Sequence, residues 1–282
     1  MSAARINARD MLYEEPGPKT KSRIRIVTGI CLAGLAALAA AVIYRFYETG
    51  QLAPKYWSFF TKPTTWVFLG KGLLGTLEAA LMSGFLAFSA GFLLMVGRIS
   101  RNKVLSGIST ALIEFTRGVP TLLFIYFFFL VVPQFGIKMS AFWKISIPVA
   151  ISACGVVAEV LRSGVNAVPK GQTEAALSLG MRDRSVFLKI VFPQAIRFVI
   201  PALIAEIVIV VKDTTFAYVV NFPDLMQNAK VLISNYDAML SVYLVAAVIY
   251  ILINFLLNRL SDTIAKQRPR TLAAAELKGP TA

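Results

Sequence analysis

Residues 168–201, VPKGQTEAALSLGMRDRSVFLKIVFPQAIRFVIP, form a polar and basic stretch between two apolar segments. Each neighbouring segment approaches the roughly 20 residues that a helix needs to cross a bilayer. The pattern predicts a short helix over 172–179, because Gly180 suits the left-handed residue that often follows a helix. A second helical piece over 185–191 is predicted to end before Pro193, because proline disfavours helical geometry in the residue that precedes it.

The composition indicates an integral membrane protein. Of 282 residues, 57% are hydrophobic and only 16% are charged, whereas soluble domains average about 25% charged residues. The net charge of +14 would suggest nucleic acid in a soluble protein. Here the basic residues lie between apolar segments, so membrane topology and anionic lipid explain them and no nucleic-acid partner is expected. Cys31 and Cys154 fall inside apolar segments, which argues against a disulfide framework.

Six apolar segments predict an all-α integral membrane protein with six transmembrane helices, at 26–44, 72–97, 105–132, 143–168, 198–221 and 238–258. The first is read as a retained span rather than a signal peptide, because a long tail precedes nineteen uncharged residues. The predicted organisation is a cytoplasmic tail (1–25), an extra transmembrane helix (26–45), an outer interfacial segment (46–71), a transmembrane domain (72–260) with a polar loop at 169–197, and a second cytoplasmic tail (261–282).

The distribution of basic residues predicts the orientation of these spans. If both termini are cytoplasmic, the cytoplasmic segments hold nineteen Lys and Arg residues and the outer segments hold seven. Lysine and arginine are enriched in cytoplasmic loops of membrane proteins. We therefore expect a multi-pass membrane protein with both termini in the cytoplasm.

Charged residues inside the spans need partners, because a charge at the bilayer centre costs about 2.5–3.5 kcal/mol on insertion scales. Glu114 and Arg117 are three residues apart and can pair on one helix face, and Glu159 and Arg162 repeat that spacing. In the fifth span, Lys212 and Asp213 are adjacent and can neutralise each other or separate neighbours. The pairs have either a structural role or a place along the path of a charged or zwitterionic solute.

The central stretch also carries a recognisable motif. Glu174-Ala175-Ala176 is followed after three residues by Gly180 and after nine more by Ile190 and Phe192-Pro193. This spacing resembles the EAA---G---------I-LP signature of permease subunits of bacterial ABC importers, with Phe192 in place of leucine. In that family the loop docks on the ATP-hydrolysing subunit, so the resemblance implies ATPase coupling through Gly171, Gln172, Glu174, Ala175, Ala176 and Gly180. The two alanines leave one side nearly bare, so that another protein can approach the backbone.

Other motifs resemble the polar amino-acid subfamily of these permeases, the histidine/glutamine/glutamate type, and the N-terminal extension looks most like actinobacterial glutamate-uptake permease subunits. The resemblance implies structural-motif residues at Glu114, Arg117, Gly118, Pro120, Glu159, Arg162, Pro193 and Pro201, and a substrate path at Glu206, Lys212, Asp213 and Thr214. The chain departs from the pattern at Val119, where threonine is usual, at Ala205, where asparagine is frequent, and at Thr215-Phe216. The implied fold is one extra N-terminal span plus a five-helix permease core.

The resemblance implies a transport subunit rather than an enzyme. The chain has no G-x-x-x-x-G-K-[ST] loop to cradle phosphates, so ATP and Mg would be bound by a partner. The implied partners are two ABC ATPase subunits, a second permease subunit (a paralogue or a second copy), an extracytoplasmic amino-acid-binding protein and the lipid bilayer. The implied function is uptake of a polar amino acid, with glutamate the first choice. The alternatives are a secondary amino-acid transporter or channel without ATPase partners, and a membrane enzyme or scaffold.

Overall fold

The structure, a computed structural model, describes residues 17–266. The chain divides between Trp57 and Ser58 into two units, which are described separately. All regular elements in the described residues are helices. Five are long and apolar enough to cross a membrane, and a sixth candidate span is a bent helix pair. The expectation of an all-α membrane protein with six spans is confirmed.

The first unit contains helix α1, Pro18–Glu48, and a 3₁₀ turn at Pro54–Tyr56. The predicted first span lies inside α1. The helix begins eight residues earlier than that span, because Pro18 sits in the first turn, where its missing N–H is not needed. Part of the predicted tail is therefore helical, and its first sixteen residues lie outside the described part of the chain.

The second unit contains the remaining helices. They are α2 (Pro63–Arg98), α3 (Lys103–Gly118), α4 (Thr121–Tyr126), α5 (Ala141–Ala167), α6 (Lys170–Ser178), α7 (Asp183–Val186), α8 (Phe192–Asp213), α9 (Leu225–Tyr236) and α10 (Met239–Lys266). The last helix continues beyond the predicted sixth span into the region predicted as a tail. Residues 267–282 of that tail lie outside the described residues.

Helix α5 lies at the centre of this unit and packs against α2, α8 and α3. Its glycines allow this close packing, as small residues do between transmembrane helices. A Cβ atom at Gly164 would lie 2.8 Å from the carbonyl oxygen of Ala195 on α8. On α2, a Cβ atom at Gly91 would lie 2.8 Å from the carbonyl oxygen of Cys154. The buried Cys154 is a free thiol, so it acts as a small core residue, as its sequence context indicates.

The third predicted span is broken rather than straight. Helix α3 and the segment Thr121–Phe135 meet at a bend of 96°. Val119 at the bend is extended, with φ −97° and ψ 125°, which is the geometry favoured before a proline. The segment after Pro120 contains α4, a π turn at Phe127–Val131 and a 3₁₀ turn at Val132–Phe135. Hydropathy predicted the apolar length but not the bend.

The fifth span is longer than predicted. Asp183–Val220 forms a 38-residue helical segment, in which α7 leads through a π turn at Phe187–Val191 into α8. The prediction that a helix ends before Pro193 is wrong. The extra residue of the π turn shifts the hydrogen-bond ladder just before Pro193, which then occupies the first turn of α8 and needs no N–H partner.

The predicted outer loop at 222–237 contains helix α9. Its buried face packs on α2, which neither hydropathy nor turn signals predicted. The hydroxyl of Thr76 accepts a hydrogen bond from the N–H of Leu225 at 3.1 Å, and Asn228 Nδ2 donates to the carbonyl of Phe68 at 2.8 Å. This loop is therefore a fixed part of the bundle.

Candidate functional site

Helix α6 and its C-terminal turn form the predicted coupling element. Gly180 has φ +78°, as the sequence predicts. Its N–H donates to the carbonyl of Leu177 at 2.9 Å, and the N–H of Met181 donates to the carbonyl of Ala176 at 3.2 Å. These two bonds form a Schellman motif, which usually also has an apolar contact across the turn. Met181 makes that contact, because it packs on the cluster containing Ala176.

The two alanines of the motif face different ways. Ala175 is exposed, but Ala176 is buried against Val168, Val186 and Val191 of its own chain. The expectation that both leave a bare outer side is therefore wrong for Ala176, because the short helix needs a packed face of its own. The other residues of the element are exposed: Gly171, Gln172, Glu174, Leu177 and Gly180. Leu179 is 84% exposed, so the outer face of α6 is partly apolar.

A network of charges joins the ends of α2, α3 and α5. The predicted pairs are present, with Glu114–Arg117 at 3.6 Å and Glu159–Arg162 at 2.8 Å. Arg98 connects them, because its guanidinium hydrogen-bonds to Glu159 and lies 3.8 Å from Glu114. Gly118 and Pro120 lie at the bend that follows α3. The network therefore holds the first half of the broken span to two unbroken spans.

Glu206 on α8 is the most buried of the charged residues of the predicted path, with 6% of its surface exposed. Its side chain lines a cavity of about 180 Å³ between α2 and α8. The rest of the lining is apolar and includes Phe88, Val157 and Leu203. Within residues 17–266 the carboxylate has no hydrogen-bond donor. A buried, unpartnered carboxylate beside a cavity can bind a cationic or hydrogen-bond-donating group.

Asp213 lies two helical turns beyond Glu206, near enough for the two carboxylates to interact electrostatically. Its carboxylate accepts a hydrogen bond of 2.8 Å from the hydroxyl of Thr121, at the start of α4. The Thr121 hydroxyl also lies 2.8 Å from that of Ser152 on α5. The site thus ties α8 to the bend in the third span.

Lys212 does not pair with Asp213. Its side chain is exposed on α8, and it makes no ion pair within residues 17–266. Thr214 is buried and donates to the carbonyl of Val211 at 2.7 Å, so it serves its own helix. Of the four predicted path residues, the structure therefore places Glu206 and Asp213 toward the interior and Lys212 on the surface of the subunit.

Sequence reasoning missed three residues of these sites: Arg98, Thr121 and Ser152. Arg98 was counted only as one of the cytoplasmic basic residues. Thr121 follows Pro120 directly, so its position at a helix start could have been noticed, but its contact with Asp213 spans 92 positions. Pro201 lies inside α8 and Pro193 in its first turn, where neither breaks the span.

The geometry agrees with comparisons to known proteins. The model of the family described as binding-protein-dependent transport system inner membrane component matches residues 87–268. The glutamate transport system permease protein GluD of Corynebacterium glutamicum is 35% identical over 222 residues, 77% of this chain and 81% of that protein. The probable glutamine ABC transporter permease protein GlnP of Bacillus subtilis is 32% identical over 68% of this chain and 89% of that protein.

Solved structures share the fold. A crystal structure of an amino acid ABC transporter with histidines matches with a TM-score of 0.69 and 27% identity, over 74% of this chain and 98% of that one. An inward-facing MetNI methionine ABC transporter matches with a TM-score of 0.59 at 20% identity, which supports the fold alone. The family match covers most of the bundle and both candidate sites. The chain therefore belongs to the family of inner-membrane components of binding-protein-dependent transport systems.

Proposed function

We propose that the chain is the membrane-spanning subunit of an ATP-driven importer for a polar amino acid, with glutamate as its substrate. The observation that supports this most is a continuous helical segment. It has the coupling element at one end and Glu206 and Asp213 near the other. The similarity to glutamate and glutamine permeases supports the substrate class. ATP and Mg would be bound by two partner ATPase subunits, and a second permease subunit would complete the path.

The arrangement of α6 suggests how ATP hydrolysis drives the path. Only residues 179–182 separate α6 from the helical segment Asp183–Val220. The cluster around Ala176 packs α6 against that segment, through Val186, Val191 and Ala195. An ATPase subunit that moves the exposed face of α6 would therefore move the fifth span with it. Both termini are expected on the side of this element.

The charges of the path suit an amino acid. Glutamate carries one ammonium and two carboxylates. Glu206 at the cavity can hold the ammonium, since opposite charges attract strongly where water is excluded. Lys212 is available for a carboxylate, because Asp213 bonds to Thr121 instead. The competing structural role for Lys212 is a permanent ion pair, either with Asp213 or with a residue of the second permease subunit.

Reconstitution tests the function. The chain is co-expressed with candidate ATPase, second permease and binding-protein partners, purified as a complex and placed in proteoliposomes. We expect uptake of radiolabelled glutamate that needs both ATP and the binding protein. An ATPase subunit with a disabled phosphate-binding loop is the control, and uptake that persists with it would contradict the proposal.

The role of Lys212 is tested by Lys212→Gln and Asp213→Asn, singly and together. Contact with an acidic substrate predicts that Lys212→Gln raises the KM for glutamate about tenfold, the effect of roughly 1.4 kcal/mol, at normal membrane abundance. Asp213→Asn should not rescue it. If either single variant loses abundance and the double variant recovers it, Lys212 and Asp213 form a structural pair and Lys212 does not bind substrate.

A secondary transporter coupled to protons is the second candidate, because the buried Glu206 is a carboxylate of the kind that relays protons in membranes. The two functions differ in their energy source. Uptake driven by a pH gradient without ATP, and abolished by Glu206→Gln, would favour the secondary transporter. Uptake that requires ATP and is unaffected by a protonophore would favour the importer.

A further inference from the structure

A polar pocket of about 330 Å³ lies on the predicted outer side, between α9 and the end of the fifth span. It belongs to neither the cavity at Glu206 nor the coupling element. Its lining comes from the exposed face of α9 and from the residues that follow α8: Tyr218, Asn221, Gln227, Lys230, Val231, Ser234 and Asn235. The pocket is wide open to solvent, so it suits a group presented by another molecule.

Helix α9, which forms one wall of the pocket, is fixed by contacts at both of its ends. At its start, Asp224 is buried and its Oδ1 accepts a hydrogen bond of 2.7 Å from the N–H of Gln227. Burial raises the pKa of the Asp224 carboxyl to about 6. At its end, the ring of Tyr236 stacks on that of Phe59, with centroids 4.3 Å apart. A wall held at both ends presents its exposed side chains in a defined arrangement, which lowers the entropy cost of binding.

The lining has the chemistry of a carboxylate site. Lys230 supplies the positive charge, and its ammonium lies 4.2 Å from the centroid of the Tyr218 ring. It makes no ion pair within residues 17–266. Carboxamides of Asn221, Gln227 and Asn235 supply further hydrogen-bond donors, and the lining contains no acidic side chain. Asn221 has φ +55°, a left-handed conformation that asparagine tolerates better than most residues, and Gln227 hydrogen-bonds to its side chain.

The pocket is also connected to the path. Tyr218 and Asn221 end the 3₁₀ segment Thr214–Val220, which continues directly from Asp213. The pocket therefore adjoins the outer end of the segment that carries Glu206 and Asp213.

We propose that this pocket receives an acidic side chain of the external binding protein, so that Lys230 is a docking contact of the importer. This rests on the proposed function and its orientation. The predicted outer segments hold seven Lys and Arg residues, and their acidic residues are Glu48, Asp224 and Asp237. Such a surface attracts an acidic partner face. A free amino acid fits less well, because small-ligand sites enclose most of their ligand.

The test measures uptake by the reconstituted complex as the concentration of binding protein is varied. Lys230→Gln should raise the half-saturating concentration about tenfold at low salt and leave the maximal rate unchanged. Lys230→Arg, which keeps the charge, should stay near the wild type. Asn235→Asp, which adds a negative charge to the lining, should weaken docking as well. At about 0.5 M salt the differences should shrink, because exposed charges are screened.

Lys144→Gln is the matched control. Lys144 is another lysine of the predicted outer side whose ammonium lies over an aromatic ring, that of Phe129 at 5.5 Å, but it is outside the pocket. The proposal is overturned if Lys230→Gln and Lys144→Gln have the same effect. It is also overturned if Lys230→Gln lowers only the maximal rate, or if its effect depends on anionic lipid instead of the binding protein.

Free substrate is the remaining alternative. The complex is titrated with glutamate in the absence of the binding protein, and we expect no binding that depends on Lys230. Binding that Lys230→Gln abolishes would assign the pocket to substrate and overturn the docking role. The proposed function fails separately, because a wild-type complex that shows no uptake driven by the binding protein refutes it before any variant is compared.

Discussion

The third and fifth spans both contain prolines, yet one is broken and the other is continuous. At Pro120 the chain bends by 96°, because Val119 adopts the extended geometry and no turn compensates for it. At Pro193 a π turn precedes the proline and the helix continues. The same residue type therefore accompanies a sharp bend in the third span and a continuous helix in the fifth. The hydrogen bond between Thr121 and Asp213 joins the two.

The largest expected effect comes from changing the orientation of α6 relative to the fifth span. Gly180→Val should abolish transport while membrane insertion stays normal, because a left-handed residue with a side chain costs about 1–2 kcal/mol and α6 would be redirected. Uptake and membrane abundance are measured together. Gly136→Val is the control, since it places the same side chain at the same φ of +78° in open space outside the coupling element. Normal uptake in Gly180→Val would contradict a coupling role for this turn.

A smaller effect is expected at the base of the broken span. Arg98→Gln removes the connection between Glu114 and Glu159 and should destabilise the complex by about 2 kcal/mol, as loss of a charged hydrogen bond does. Thermal unfolding in detergent measures it. Arg101→Gln, which breaks an exposed pair with Asp183, should change stability by about 0.5 kcal/mol or less. Equal losses in the two variants would show that Arg98 does not organise the network.

The hydrogen bond between the third and fifth spans is tested by Thr121→Val, which keeps the side-chain shape and removes the hydroxyl. Asp213 would lose a hydrogen bond, and we expect a penalty of about 1–2 kcal/mol that appears as several-fold slower uptake. Thr110→Val is the control, because that hydroxyl serves only its own helix, with a bond to the carbonyl of Ser106. Unchanged uptake in Thr121→Val would mean that the spans move independently.

The smallest effect is expected at Pro193. Since the helix already passes through this position, Pro193→Ala should alter stability by less than about 1 kcal/mol. Pro120→Ala should reduce uptake more, because helical geometry at Val119 would no longer be disfavoured and the bend could straighten. Uptake by both variants is compared at equal abundance. A larger loss for Pro193→Ala would reverse the contrast between the two spans.

The sequence by itself determined the class of the protein, the apolar spans and the conformation of the coupling element. Gly180 in a left-handed turn and the pairs at Glu114–Arg117 and Glu159–Arg162 are local features, set by residues within one or two turns of each other. Hydropathy is likewise a property of a short window. Such features can be predicted because the groups that decide them are neighbours along the chain.

Only the tertiary structure decided where those elements meet. Ala176 turned inward because the short helix needed a packed face, and Arg98 joined two pairs that the sequence left separate. Asp213 accepts a hydrogen bond from Thr121 and does not pair with the adjacent Lys212. These contacts join residues 8 to 92 positions apart, and they depend on how whole helices pack together. Helix propensity and hydropathy cannot predict that packing, because it depends on side-chain shapes that come into contact only after the chain has folded.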